Sequence, residues 1–141
     1  MKISDQFTDR IKSHEGYVSH SSSDSLGFRT IGYGFKLESL ILTKDICNII
    51  LKQKLDDLLE NLPLLIPWFR SMPYEVQEVL IEMAYQMGVT GLLSFPKTLD
   101  HLKNFEFKLA AAEMLESVWY KIQTPNRALR LSNIVAKCEE D

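Results

Sequence analysis

Four of the six glycines in this 141-residue chain fall within residues 15 to 34, at positions 16, 27, 32 and 34. Glycine favours tight turns and helix ends over helix interiors, so this stretch reads as a helix end followed by short strands and turns. It runs Glu-Gly-Tyr-Val-Ser-His-Ser-Ser-Ser-Asp-Ser-Leu-Gly-Phe-Arg-Thr-Ile-Gly-Tyr-Gly. Upstream, Ser4 is suited to an N-cap, and Ile3, Phe7 and Ile11 recur at four-residue steps. That spacing predicts a first helix to about His14, stopped by Gly16. Downstream, Phe28, Thr30, Ile31 and Tyr33 favour strand, so a small, irregular antiparallel sheet is expected between Tyr17 and Lys36.

The rest of the chain carries helical periodicity. Thr43 caps a long helix with Asp45 in its first turn and an apolar stripe of Ile46, Ile50, Leu51, Leu55, Leu58, Leu59 and Leu62, ended by Pro63. After a loop to Arg70, Ser71 and Pro73 announce a core helix with Val76, Leu80, Met83, Ala84 and Met87 inward and Gly88 at its end. Pro96 starts a short helix carrying Leu99 and Leu102, and Leu109, Ala112 and Leu115 mark the next. Thr124-Pro125 opens a last helix with Ala128, Leu131 and Val135, and the acidic tail Glu139-Glu140-Asp141 should fray. The expected class is α+β and mainly helical. A small lobe at about 14–42 is joined by a helix at about 43–62 to a helical lobe, 63–141, which also takes in the N-terminal helix 4–14. All of this forms one domain.

Composition excludes several functions. No apolar run approaches the roughly 20 residues of a membrane span, and Met1-Lys2-Ile3-Ser4-Asp5-Gln6 has no apolar region behind its charged start, so neither membrane insertion nor a secretory leader is expected. A net charge of −3 argues against nucleic acid as a partner, although Lys121, Arg127 and Arg130 form a local basic group. Cys47 and Cys138 show no metal-ligand spacing and read as two reduced thiols. His14, His20 and His101 show none either. Met72, Met83, Met87 and Met114 read as core filler.

Glu15 and Asp24 are separated by eight residues, and Asp24 and Thr30 by five. Hydrolysis of a glycosidic bond needs one carboxylic acid to protonate the leaving oxygen and a second carboxylate on the other face of the sugar. A helix end followed by a glycine-rich hairpin can hold such a pair. Taken singly, each residue has a plainer reading. Glu15 is a solvent-facing helix-end glutamate, Asp24 is the Asx residue of a Ser-Asp-Ser-Leu-Gly turn, and Thr30 is a strand residue.

The flanking residues add a resemblance. Glu15-Gly16, Asp24, Thr30 and Ile31-Gly32-Tyr33-Gly34 resemble the pattern of the phage-type lysozymes of glycoside hydrolase family 24. Thr43-Lys44-Asp45, Tyr85-Gln86-Met87-Gly88 with Thr90-Gly91 and Phe95, and Trp119-Tyr120 with Gln123-Thr124-Pro125-Asn126-Arg127-Ala128 are similar to three further blocks of that family, in the same order. The likeness touches nearly the whole length. Departures are Ser22 in place of a common tyrosine, Phe35 in place of a common histidine, and a shorter loop after the hairpin. There is also one extra residue between Trp119-Tyr120 and Gln123, and an acidic balance where many relatives are basic.

The resemblance implies a lysozyme-like fold and a muramidase that cleaves β-1,4 bonds between N-acetylmuramic acid and N-acetylglucosamine in bacterial peptidoglycan, with no metal and no cofactor. It implies Glu15 as general acid, and Asp24 with Thr30 holding a water beneath the sugar, which gives inversion. Tyr85, Gln86 and Thr98 would line the saccharide cleft. Arg127 would pair with Glu15 and orient it. The implied setting is a monomeric phage endolysin held in the host cytoplasm and released by a holin to reach the wall from the periplasm. The alternative is a non-catalytic or virion-associated wall-binding protein on the same scaffold.

Overall fold

Local signals at the chain's start translate directly into structure. In the computed structural model, which describes residues 1–140, Ser4 Oγ accepts the Phe7 amide at 3.1 Å and opens α1 (Asp5–Glu15). Asp141, the end of the expected fraying tail, lies outside the described residues. Gly16 closes α1 at φ 72°, a conformation that favours glycine, and its amide returns to the Lys12 carbonyl at 2.9 Å. The chain divides into two compact units, Met1–Cys47 and Asn48 onward.

The first unit holds α1 and a three-stranded antiparallel sheet in the order β1 (Val18–Ser23), β2 (Arg29–Gly32), β3 (Phe35–Lys36). The sheet is irregular as expected: Val18 pairs with Gly32 and Ser22 with Thr30, which requires a bulge between them. Ser21, Ser22 and Ser23 form strand although they carry no apolar alternation, and every residue of β1 is exposed. Thr30, central in the sheet between Ser22 and Lys36, is the one buried side chain of this unit.

Thr43 caps α2 (Lys44–Leu65), its Oγ1 accepting the Ile46 amide at 3.3 Å. The expected stop at Pro63 is displaced by two residues. A proline this close to a helix end forfeits one bond without breaking the last turn, and it is Ile66-Pro67 that halts the chain. Of the stripe read along α2, only Leu62 is fully buried.

The second unit continues with α3 (Tyr74–Leu93), α4 (Pro96–Lys103), α5 (Phe107–Leu115) and α6 (Pro125–Ala136). Gly88, at φ 79° and ψ 163°, breaks α3 where the sequence placed its end, and a short helical segment follows. The core gathers Leu62, Phe69, Leu80, Met83, Leu102 and Met114, with Met72 also buried. The face of α5 differs from expectation. Phe107, Ala110, Ala111 and Met114 turn inward, while Leu109 is exposed, because packing rather than leucine content chooses between two adjacent apolar arcs. Among the described residues no helix is long and apolar enough to cross a membrane.

Candidate active site

Glu15 stands at the last position of α1 and is exposed. Its carboxylate lies against Gly34, where an added Cβ would collide with Oε2. Gly34 also has φ 71°, so the hairpin tip needs glycine for both its backbone and its neighbour. One turn back along α1, the Lys12 ammonium sits 5.6 Å from the Tyr33 ring centroid. Residues three apart share a helix face, so Lys12 and Glu15 together seat the tip Tyr33-Gly34 on the end of α1. Within the first unit no hydrogen bond or ion pair engages the Glu15 carboxylate.

Asp24 occupies the turn between β1 and β2. Its Oδ1 accepts the Leu26 amide at 2.9 Å and the Phe28 amide at 2.8 Å, and its own amide donates to the Phe28 carbonyl at 2.7 Å. The Asx-turn reading and a role in catalysis are therefore compatible: one carboxylate oxygen builds the turn and Oδ2 is left over. The side chain is half-buried rather than exposed. Thr30 is only 9% exposed, yet its hydroxyl bonds to no other described residue, and among the described residues no buried side-chain oxygen lacks a partner. Its Oγ1 must accordingly keep contact with solvent. Glu15, Asp24 and Thr30 thus belong to one unit, each with an oxygen available to an outside molecule.

The other four candidates lie in the second unit. Tyr85, 46% exposed, and Arg127 line one pocket of about 500 Å³ with Leu51, Leu55, Ile81 and Glu82. Arg127 Nε donates to Glu82 at 2.7 Å. Nothing in the sequence marked Glu82, which lies 45 residues from Arg127. A guanidinium carries five donors, and this bond uses one.

Gln86 is held from two sides. The Trp119 indole N–H donates to Oε1 at 3.1 Å, and Nε2 donates to Thr124 Oγ1 at 3.0 Å. Because the indole can only donate, it fixes which way the amide points. Thr124, expected to cap α6, spends its hydroxyl on Gln86 instead. The extra residue before Gln123 is absorbed in a wide turn over Trp119–Gln123, in which the Thr124 amide reaches back five residues to the Trp119 carbonyl at 2.9 Å. Thr98 is buried in α4 at 3% exposure.

A curated protein from Dictyostelium discoideum named "Probable T4-type lysozyme 1" is 31% identical over 77 residues. The chain is similar to a T4-type lysozyme. The aligned stretch covers 55% of this chain and 45% of that relative, so the likeness spans under half the relative's length. No family model matches the chain. The T4-type lysozyme likeness agrees in class with the α+β architecture, a small antiparallel sheet followed by helices.

Proposed function

We propose that this chain is a peptidoglycan-degrading muramidase that hydrolyses the β-1,4 bond between N-acetylmuramic acid and N-acetylglucosamine. The observation that carries the reading is the set of oxygens in the first unit: a helix-end carboxylate on a glycine turn, a second carboxylate with one oxygen unbonded, and a largely buried threonine hydroxyl that keeps some solvent contact. Glu15 gives its proton to the glycosidic oxygen as the C1–O bond breaks. Asp24, with Thr30, orients a water that adds to C1 from the opposite face and passes its proton to the Asp24 carboxylate. The product is inverted, which calls for a carboxyl separation of roughly 6.5–9.5 Å. Because Glu15 is exposed, bound substrate supplies the desolvation that a general acid working near neutral pH requires.

Tyr85 supplies an exposed ring for the saccharide, and Gln86 and Thr98 are the further cleft-lining residues of this reading. Arg127 keeps four donors beyond its bond to Glu82, enough to engage substrate as well. The setting is that of a monomeric phage endolysin in the host cytoplasm, released by a holin. That role draws on the sequence resemblance, since the relative comes from Dictyostelium discoideum.

The test is a digest of purified sacculi with mass analysis of the muropeptides, run on the natural protein beside Glu15→Gln. Reducing ends at N-acetylmuramic acid from the natural protein, and none from the variant, are expected. Binding to sacculi with no reducing sugar released would replace this reading with the non-catalytic wall-binding one. NMR of the nascent product, showing inverted configuration, checks the water-steering role of Asp24 and Thr30.

A further inference from the structure

Three aromatic rings of the first unit stand in successive contact. Tyr33 is the middle one, its centroid 5.6 Å from that of Tyr17 and 6.4 Å from that of Phe35, at interplanar angles of 52° and 79°. The outer rings are open to solvent, Tyr17 at 68% and Phe35 at 47% exposure. Aromatic surface left in water is a cost to the folded chain, and a contiguous row of it marks a contact surface more often than a lone exposed ring does. None of these rings has a part in the acid and water-steering chemistry.

Its position indicates what it meets. Lys12 and Tyr17, which both approach Tyr33, flank Glu15 in sequence, and Gly34, between Tyr33 and Phe35, abuts the Glu15 carboxylate. The row therefore begins beside the proton donor. Phe35 packs against Gly32, where an added Cβ would come within 2.7 Å of the ring, so the missing side chain makes room for it on the hairpin. A pyranose presents several C–H bonds on one face, and these partly positive hydrogens suit the electron-rich face of an aromatic ring. A row of three rings fits a linear glycan better than it fits a protein, whose stable interfaces bury on the order of 800 Å² per partner.

We propose that Tyr17 and Phe35 bind a pyranose of the glycan strand next to the linkage being cleaved, with Tyr33 as the prop between them. This rests on the muramidase reading, and the experiment separates the two. Steady-state hydrolysis of soluble peptidoglycan oligosaccharides is measured for the natural protein, Tyr17→Ala, Phe35→Ala and Tyr17→Phe, with circular dichroism confirming the fold of each. For the alanine variants KM should rise about three- to tenfold, the factor for losing one aromatic stacking contact, with kcat within about twofold. Tyr17→Phe should show a smaller rise in KM than Tyr17→Ala, because stacking needs the ring and not the hydroxyl; an equal rise counts against stacking. Unchanged KM in both alanine variants overturns the proposal while leaving the hydrolase intact. In parallel, aromatic NMR resonances of Glu15→Gln are followed as an N-acetylglucosamine oligomer is added. Saturable shifts at Tyr17 and Phe35 support the row even if the natural protein hydrolyses nothing, and their absence overturns it.

Discussion

Gly34 leaves open the space that the carboxylate of Glu15 fills, and its φ of 71° is one that side chains with a Cβ rarely adopt. The two residues are 19 positions apart, yet the turn and the acid are built around each other. Gly34→Ala should therefore cost about 1–3 kcal/mol of stability through backbone strain alone. It should also lower hydrolysis beyond what that loss explains, because the new methyl displaces the carboxylate. Urea unfolding together with a reducing-sugar assay checks both; an active variant of normal stability would contradict this account of the turn.

Glu15→Gln separates chemistry from folding. The side chain is exposed and unbonded within its unit, so the amide should leave the urea midpoint nearly unchanged. Hydrolysis should fall by about 10²–10⁴, the usual worth of a positioned proton donor.

Asp24 ties its turn and is the proposed water-steering carboxylate, and substitution can split the two roles. Asn keeps an Oδ1 for the Leu26 and Phe28 amides, so Asp24→Asn should fold normally while losing most activity. Asp24→Ala loses both bonds and should in addition lose about 1–2 kcal/mol. Equal stability of the two variants in urea would show that the turn does not depend on this side chain.

Gln86→Leu removes the partner of both the Trp119 indole and the Thr124 hydroxyl. Leaving those groups unpaired should cost about 1–3 kcal/mol and alter the Trp119 fluorescence. Deleting Ile122, exposed at 75% in the wide turn, should by contrast be mild, since a tighter turn can still join Trp119 to Thr124.

The two thiols should differ in reactivity. Burial, and secondarily the Glu75 carboxylate, push the Cys138 thiol above its ordinary range, and its Sγ donates to the Ile134 carbonyl at 3.4 Å. Iodoacetamide at mildly alkaline pH should label exposed Cys47 first, as read by mass spectrometry. Once pH passes the thiol's unfolded range, the unfolded chain holds fewer protons than the folded one. The stability present below that range is then lost as pH climbs toward the folded value. Cys138→Ser should flatten this alkaline decline.

Much of the fold was legible because its signals are local. Ser4 and Thr43 cap their helices through amides three residues on, Gly16 and Gly88 take backbone angles that favour glycine, and Asp24 ties its own turn. Such features depend on a few neighbouring dihedral angles, so adjacent letters specify them. β1 was less legible because its serines form strand by pairing with β2, not by apolar alternation. Glu82 against Arg127, Trp119 and Thr124 against Gln86, and the inward arc of α5 join residues far apart in sequence. Those choices are made only when elements pack, because many alternatives are locally equal and burial with hydrogen-bond satisfaction selects among them. The sequence by itself determined the caps and glycine stops of the helices, because each rests on a few neighbouring residues. Tertiary structure decided which distant residues pair, since a hydrogen bond across 30 or more residues leaves no trace in either local segment.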